Sequence, residues 1–111
     1  MITIFKNKTE ENNFIAERFE RELKNFIDVH IDSLQSIMHK LQDRTVILPD
    51  EIAELVSVYS FTLGELIALH QAYEPHAGNI PVSPNRLFVH MYMNKTQDLV
   101  LSLCKNKKCQ Q

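Results

Sequence analysis

The stretch from Thr9 to Asp43, TEENNFIAERFERELKNFIDVHIDSLQSIMHKLQD, decides the fold, because it reads as one long amphipathic helix. At the 100° step of an α-helix, most of its apolar residues fall inside one arc of roughly 160°. Phe14 and Val29 are the apolar exceptions on the polar side. No glycine or proline interrupts the run, and either would weaken a helix interior. The apolar arc contains Ile15, Ala16, Phe19, Leu23, Phe26, Ile27, Ile31, Leu34, Ile37, Met38 and Leu41.

The two ends of this helix are signalled unequally. Thr9 can cap the first turn, because its hydroxyl can accept a hydrogen bond from a free backbone amide. Glu10 and Glu11 follow it at the positive end of the helix dipole. At the other end, only the β-branched run 45–47 and Pro49 indicate termination. The sequence therefore predicts the first helix over residues 9–43.

The length of this helix bears on function. At about 1.5 Å per residue it would span roughly 50 Å, whereas a compact domain of this size is nearer to 30 Å across. An apolar stripe of that length needs cover. We expect two later helices to lie end to end along it, or the helix to bend, or a second molecule to bury what remains exposed.

A second helix is predicted over residues 49–73. Pro49 suits the first helical position, and one apolar register, which includes Leu55, Leu66 and Ile67, continues past Gly64. Thr62 and Glu65 form a capping-box pattern that could restart a helix, so a break near Gly64 stays open, although one helix is favoured.

The rest of the chain follows from its prolines and its charges. Residues 74–83 contain two prolines and a glycine and are predicted to form a loop. A serine and a proline at 83 and 84 then start a third helix, predicted over 84–104 and followed by a flexible, basic tail at 105–111. The N-terminal arm, 1–8, has a β-branched apolar burst, so a short strand there, paired with 45–48 or, less favourably, with 87–93, is an open alternative.

The third helix carries apolar residues on more than one face. Its buried side is predicted to comprise Val89, Tyr92, Met93, Leu99, Val100 and Leu103. Leu87, Met91 and Leu101 point elsewhere on the helical wheel, which makes them candidate contacts for a protein partner. The alternative is that they pack on the N-terminal arm or on the loop.

Composition excludes several classes of function. The 111 residues suit one domain, and the apolar fraction of 44% and charged fraction of 23% are ordinary for a globular protein. With a net charge of −2, the chain lacks the broad positive potential of a protein that binds the nucleic acid backbone. No apolar run approaches the 18 or so residues that cross a membrane, so we expect a cytoplasmic protein. The two cysteines are expected to be free thiols.

No catalytic, cofactor or metal site is predicted. His30 and His70 lie on the apolar faces of the first two helices, and a facing pair of imidazoles could bind a metal with Glu74 as a third ligand. Two ligands do not make a convincing site, so packing is the favoured role for both histidines. Cys104 falls on the buried half of its helix, where a thiol behaves as a small inert hydrophobe.

The sequence thus predicts an all-α, elongated three-helix bundle built on one long N-terminal amphipathic helix. For function it indicates a non-enzymatic adaptor, inhibitor or immunity-type binder that contacts another protein, and we also expect a homodimer. The alternative is a helix-turn-helix-like DNA-binding regulator. The ten-residue connection exceeds the tight turn of that motif, and its readers would be limited to Asn85, Arg86, His90, Asn94 and Lys95.

Overall fold

The computed structural model describes residues 4–109, with side chains as far as residue 105. The protein is all-α and elongated, as predicted, and the described residues contain no strand. The predicted first helix consists of two α-helical segments joined by a π-helical turn, so the described residues contain four α-helical segments, of which the first two form one continuous helix. The elements in order are α1 (Lys8–Phe26), the π turn (Ile27–Ile31), α2 (Asp32–Leu41), α3 (Pro49–Ala72), a 3₁₀ helix (Glu74–Asn79) and α4 (Pro84–Cys109).

The π turn lengthens the first helix without ending it. Phe26 and Asp32, on either side of the turn, both have right-handed helical dihedral angles. The backbone N–H of Asp32 donates to the carbonyl of Ile27, five residues back instead of the usual four. The chain therefore stays helical from Lys8 to Leu41, with one additional residue accommodated in the middle.

The spacing of the buried residues explains the additional residue. Phe19, Leu23 and Phe26 follow one another at steps of four and three, and all three are buried. The next buried residue is Ile31, after a step of five. In a regular α-helix that step would turn Ile31 about 140° away from Phe26. The wider π turn takes up the excess, so both halves of the helix face the same core.

Several predicted boundaries are corrected by the structure. The first helix is capped by Asn7, whose side-chain oxygen accepts from the backbone N–H of Glu10 at 2.9 Å, so it begins before Thr9. It also ends two residues early, at Leu41. Residues 105–109 continue α4 instead of forming a flexible tail. Residues 110 and 111, and the start of the predicted arm at 1–3, lie outside the described residues.

The loop and the second helix also differ in detail from the prediction. The loop predicted at 74–83 contains the short 3₁₀ helix, and α3 is continuous through Gly64, so the capping-box pattern does not restart it. Glu51 instead supports the start of α3, since its carboxylate accepts from the backbone N–H of Leu48 and pairs with Arg44.

The helices pack as an up, down, up arrangement around one core. The ring of Phe61 in α3 lies 5.6 Å from His30, and Tyr73, just after α3, lies 5.1 Å from Phe19, so α3 runs antiparallel to the first helix. In α4, Asn85 donates to Glu20 and the hydroxyl of Thr96 lies 3.3 Å from the sulfur of Met38. The last helix therefore runs parallel to the first.

The apolar stripe of the first helix is covered within the molecule. Its innermost members are each at most 5% exposed, and they pack against residues of α3, the 3₁₀ connection and α4. Of the three kinds of cover expected for this stripe, later helices supply it, and α3 and α4 run side by side along the first helix rather than end to end, so its innermost residues need no second molecule. These innermost residues are Phe19, Leu23, Phe26, Ile31, Leu34 and Leu41.

The molecule is nevertheless a rod. Its principal extents are 62 × 25 × 21 Å, and its radius of gyration is 17.9 Å. A compact domain of the same length would have a radius of gyration of about 13 Å. The length of the first helix predicted an elongated molecule, and this prediction is confirmed.

The apolar character of α3 corrects one expectation from the sequence. By length and composition, α3 is the one helix in the described part of the chain that could cross a membrane. Its isoleucine, leucine, valine and phenylalanine residues keep the average apolar, while serines, Thr62, Gly64 and glutamates interrupt the run. Only 22% of its apolar window is buried in the molecule, and length and composition alone do not show that α3 spans a membrane.

Candidate interaction surface

The three predicted contact residues form one stripe on α4. Leu87, Met91 and Leu101 are 61%, 62% and 60% exposed. On the helix they fall within an arc of about 80°. The centre of this arc is opposite the buried face of α4, which contains Val89 and Met93. We call Leu87, Met91 and Leu101 the α4 stripe; its two halves are separated by the polar residues Asn94 and Asp98.

The buried face of α4 agrees with the sequence prediction. Val89 and Met93 are buried, and the other four predicted members pack against the core while half-buried. The alternative was that the α4 stripe packs on the N-terminal arm or on the loop. Among the described residues the stripe is instead largely exposed to solvent.

The two histidines of the apolar faces are far apart. His30 packs between Phe26 and Phe61, with ring centroids 5.1 and 5.6 Å away. His70 lies 6.1 Å from Phe19. Phe19 and His30 are eleven residues apart on the first helix, which corresponds to roughly 16 Å. The imidazoles therefore contact aromatic rings at separate levels of the bundle and do not face each other.

The described residues contain no group of three or more histidine, cysteine or carboxylate side chains that could hold a metal ion. The free thiol of Cys104 is exposed, which corrects the prediction that it lies on the buried half of α4. The side chain of Cys109 lies outside the described residues.

A tyrosine close to the loop has a strongly shifted pKa. Burial, followed by a hydrogen bond with Glu22 and the negative charge of Glu22, raises the pKa of Tyr73 to about 12. Arg18 acts in the opposite direction. Burial also raises the pKa of Tyr59 and of Tyr92. The raised pKa keeps the phenol of Tyr73 neutral, which suits a side chain that packs against the ring of Phe19.

A groove of about 390 Å³ lies between α3 and the first turns of α4. Its floor is apolar and nearly inaccessible to solvent, and its remaining lining includes three side chains that carry nitrogen donors. None of its lining residues is acidic. The lining comprises Leu23, Leu66, His70, Val82, Arg86, Leu87, Val89 and His90. We call it the α3–α4 groove.

Arg86 is held at this groove by two contacts. Its guanidinium carbon lies 5.7 Å from the ring centroid of Phe19, within the range of a cation–π interaction. One of its amino groups donates to the backbone carbonyl of Ile80 at 3.4 Å. Among the described residues, no carboxylate oxygen lies within the 4 Å of an ion pair with it. A half-buried guanidinium thus faces the groove without an acidic partner.

A second groove, of about 500 Å³, lies between α2 and α4. Met38, Tyr92 and Leu99 are among its apolar lining residues. Arg44 at its edge already pairs with Glu51, which neutralises much of its charge. This groove has a larger volume than the α3–α4 groove, but its arginine is already paired with a carboxylate.

Two of the five residues that would read DNA are engaged inside the molecule. The side chain of Asn85 donates to Glu20 at 2.8 Å, and Arg86 lies over Phe19. The segment between α3 and α4 also contains the 3₁₀ helix, unlike the tight turn of a helix-turn-helix. The geometry therefore gives no support to the DNA-binding alternative.

Sequence reasoning identified the α4 stripe and missed the α3–α4 groove. The available signal was the four-residue step from Arg86 to His90, which places both side chains on one side of a helix. That spacing indicates a groove only once the helices pack and His70 of α3 lies opposite, which the sequence alone does not show.

No protein-family model, curated protein or solved structure matches the chain.

Proposed function

We propose that this chain is a small non-enzymatic protein that acts through contact with another protein, as an adaptor, inhibitor or immunity-type binder. The observation that carries the proposal is the α4 stripe, three large apolar side chains exposed on the side of α4 that faces away from the core. Exposed apolar surface grouped on one face is typical of an interaction site. Methionine at its centre suits a surface that must adapt to a partner.

The total surface supports the same proposal. The chain exposes 8116 Å², whereas a compact monomer of 12.9 kDa is expected to expose about 6,300 Å². This excess, about 1,800 Å², is large enough to contain the roughly 800 Å² that each partner buries in a standard interface. Self-association as a homodimer and a cytoplasmic location are part of this proposal.

The test compares substitutions inside and outside the α4 stripe. Leu87→Glu and Met91→Glu each place a charge where an apolar contact is proposed. The matched control is Val46→Glu, because Val46 is 69% exposed but lies in the connection between α2 and α3. All three variants should keep the helical circular dichroism of the parent, since each side chain is at the surface.

Purified tagged protein is used to capture partners from its native cells, and captured proteins are quantified against the bait. A partner at a stoichiometric ratio should bind the parent and Val46→Glu equally. It should bind the stripe variants at least about tenfold more weakly, because a charge replaces a buried apolar contact. Equal capture by all four proteins would contradict the proposed surface. A salt-sensitive shift of duplex DNA would instead support the regulator alternative.

A further inference from the structure

We propose that the α3–α4 groove is a binding site for a carboxylate that carries a short apolar group. The argument joins three observations: a concave apolar floor, a half-buried guanidinium without an acidic partner, and two histidines at the same groove. The chemistry could belong to a free organic acid or to the end of a peptide chain, and the experiment separates these sources.

The floor selects an apolar group of limited size. Leu23, Leu66 and Val89 are at most 8% exposed, so only a narrow apolar surface is open at the bottom of the groove. Val82 and Leu87 add exposed apolar walls. At about 390 Å³, the groove lies at the lower end of the roughly 300 to 1,000 Å³ of known ligand sites. A branched chain of four or five carbons fits these limits.

The nitrogen donors select an anionic head group. A guanidinium has five N–H donors, and Arg86 directs one of them to a backbone carbonyl. Removing a charge from water without a counter-charge is costly, and a planar carboxylate can accept two parallel hydrogen bonds from such a fork. The guanidinium of Arg86 also lies over the ring of Phe19, and Arg86 is one of the lining residues of the groove.

The two histidines complete the recognition from both helices. His90 lies one turn after Arg86 on α4, and His70 contributes from α3 while contacting the same Phe19 ring as Arg86. A neutral imidazole can donate one N–H, and a protonated one can donate two. Because no acidic residue lines the groove, none of its lining side chains carries a negative charge that would repel an anion.

The probe for the free-acid source is 4-methylpentanoate, titrated into the isotopically labelled full-length chain and followed by NMR. We expect saturable shifts at groove residues, with a dissociation constant on the order of a millimolar for so small a ligand. Its neutral counterpart, 4-methylpentanamide, should bind at least about fivefold more weakly, since it cannot form charge-assisted hydrogen bonds.

Arg86→Gln and His90→Gln should each weaken binding of the acid by about fivefold or more. His90 is exposed, so its variant remains informative if the loss of Arg86 disturbs folding. Lys95→Gln removes one positive charge from the other groove and is the matched control, expected to bind within about twofold of the parent. Leu101→Glu, in the α4 stripe but about three turns beyond His90, should also leave binding unchanged, which separates a failure of this site from a failure of the proposed protein interface.

A short peptide ending in leucine, with a free or an amidated C-terminus, tests the second source. Tighter binding of the free-carboxylate peptide than of 4-methylpentanoate supports the site and assigns it to a peptide end. Binding of the small acid alone supports the site and assigns it to a free metabolite. Shifts that fail to saturate, that map away from the groove, or that are equal for acid and amide would overturn the proposal.

Discussion

Deleting one residue from the π turn should leave the fold intact, whereas the same deletion in α2 should not. Val29 is 51% exposed and lies in the turn. Without it, the step from Phe26 to Ile31 becomes four residues, which a regular α-helix accommodates on one face. The two halves of the first helix can therefore keep their present orientation toward the core.

The magnitudes separate the two deletions clearly. Loss of the half-exposed Val29 side chain removes about 1 kcal/mol of burial, and the regained α-helical hydrogen bonding offsets part of it. Deletion of Ser36, an exposed residue of α2, turns Ile37, Met38 and Leu41 by about 100° relative to the preceding turn. At roughly 1.5 to 3 kcal/mol for each apolar side chain, that loss approaches the whole stability of a small domain.

Urea denaturation, followed by circular dichroism, measures the free energy of unfolding of both deletion variants. The Val29 deletion should unfold cooperatively, with a free energy of unfolding within about 1 kcal/mol of the parent. The Ser36 deletion should be largely unfolded in water. If the two deletions cost the same, or if removing Val29 is the more damaging, the account of the π turn as one accommodated extra residue is wrong.

Two further predictions concern single side chains. Gly64→Ala should raise the free energy of unfolding by about 1 kcal/mol and the Tm by roughly 5 °C, because an added Cβ meets no atom within 4 Å. Gly78→Ala is the control, since Gly78 is equally open but lies outside the α-helices, and it should change the free energy of unfolding less. Because the pKa of Tyr73 rises to about 12 in the folded protein, its stabilising effect is complete below pH 10 and is lost as the pH rises from about 10 to 12. Unfolding measured across that range should show a decline that Tyr73→Phe reduces, and an unchanged decline in Tyr73→Phe would assign the effect to another group.

The sequence was sufficient to predict the helices and their order. Helical periodicity depends on local spacing, so the stretch around Phe19 and the two faces of α4 could both be interpreted without tertiary information. The π turn was missed because an arc of roughly 160° is wide enough to hide a drift in register. The five-residue step from Phe26 to Ile31 was the visible sign of it.

The buried face of α3 was predicted with a rotation error. Ile67 was placed on the apolar stripe and is 48% exposed, whereas Thr62 is buried, and its hydroxyl has no hydrogen-bond partner. The helical wheel weights polarity, so it favours an isoleucine over a threonine at the centre of a core. The actual orientation is set by packing against the first helix and α4. That orientation also forms the α3–α4 groove, which is why local pattern could not predict the groove.

The rod shape affects how any oligomer of this protein must be measured. With extents of 62 × 25 × 21 Å, one molecule experiences more friction in solution than a sphere of equal mass. On a gel-filtration column calibrated with globular standards, it will elute early and give too high an apparent mass, so a single chain can be mistaken for a pair. Light scattering or equilibrium ultracentrifugation, which report mass without assuming a shape, can distinguish the two.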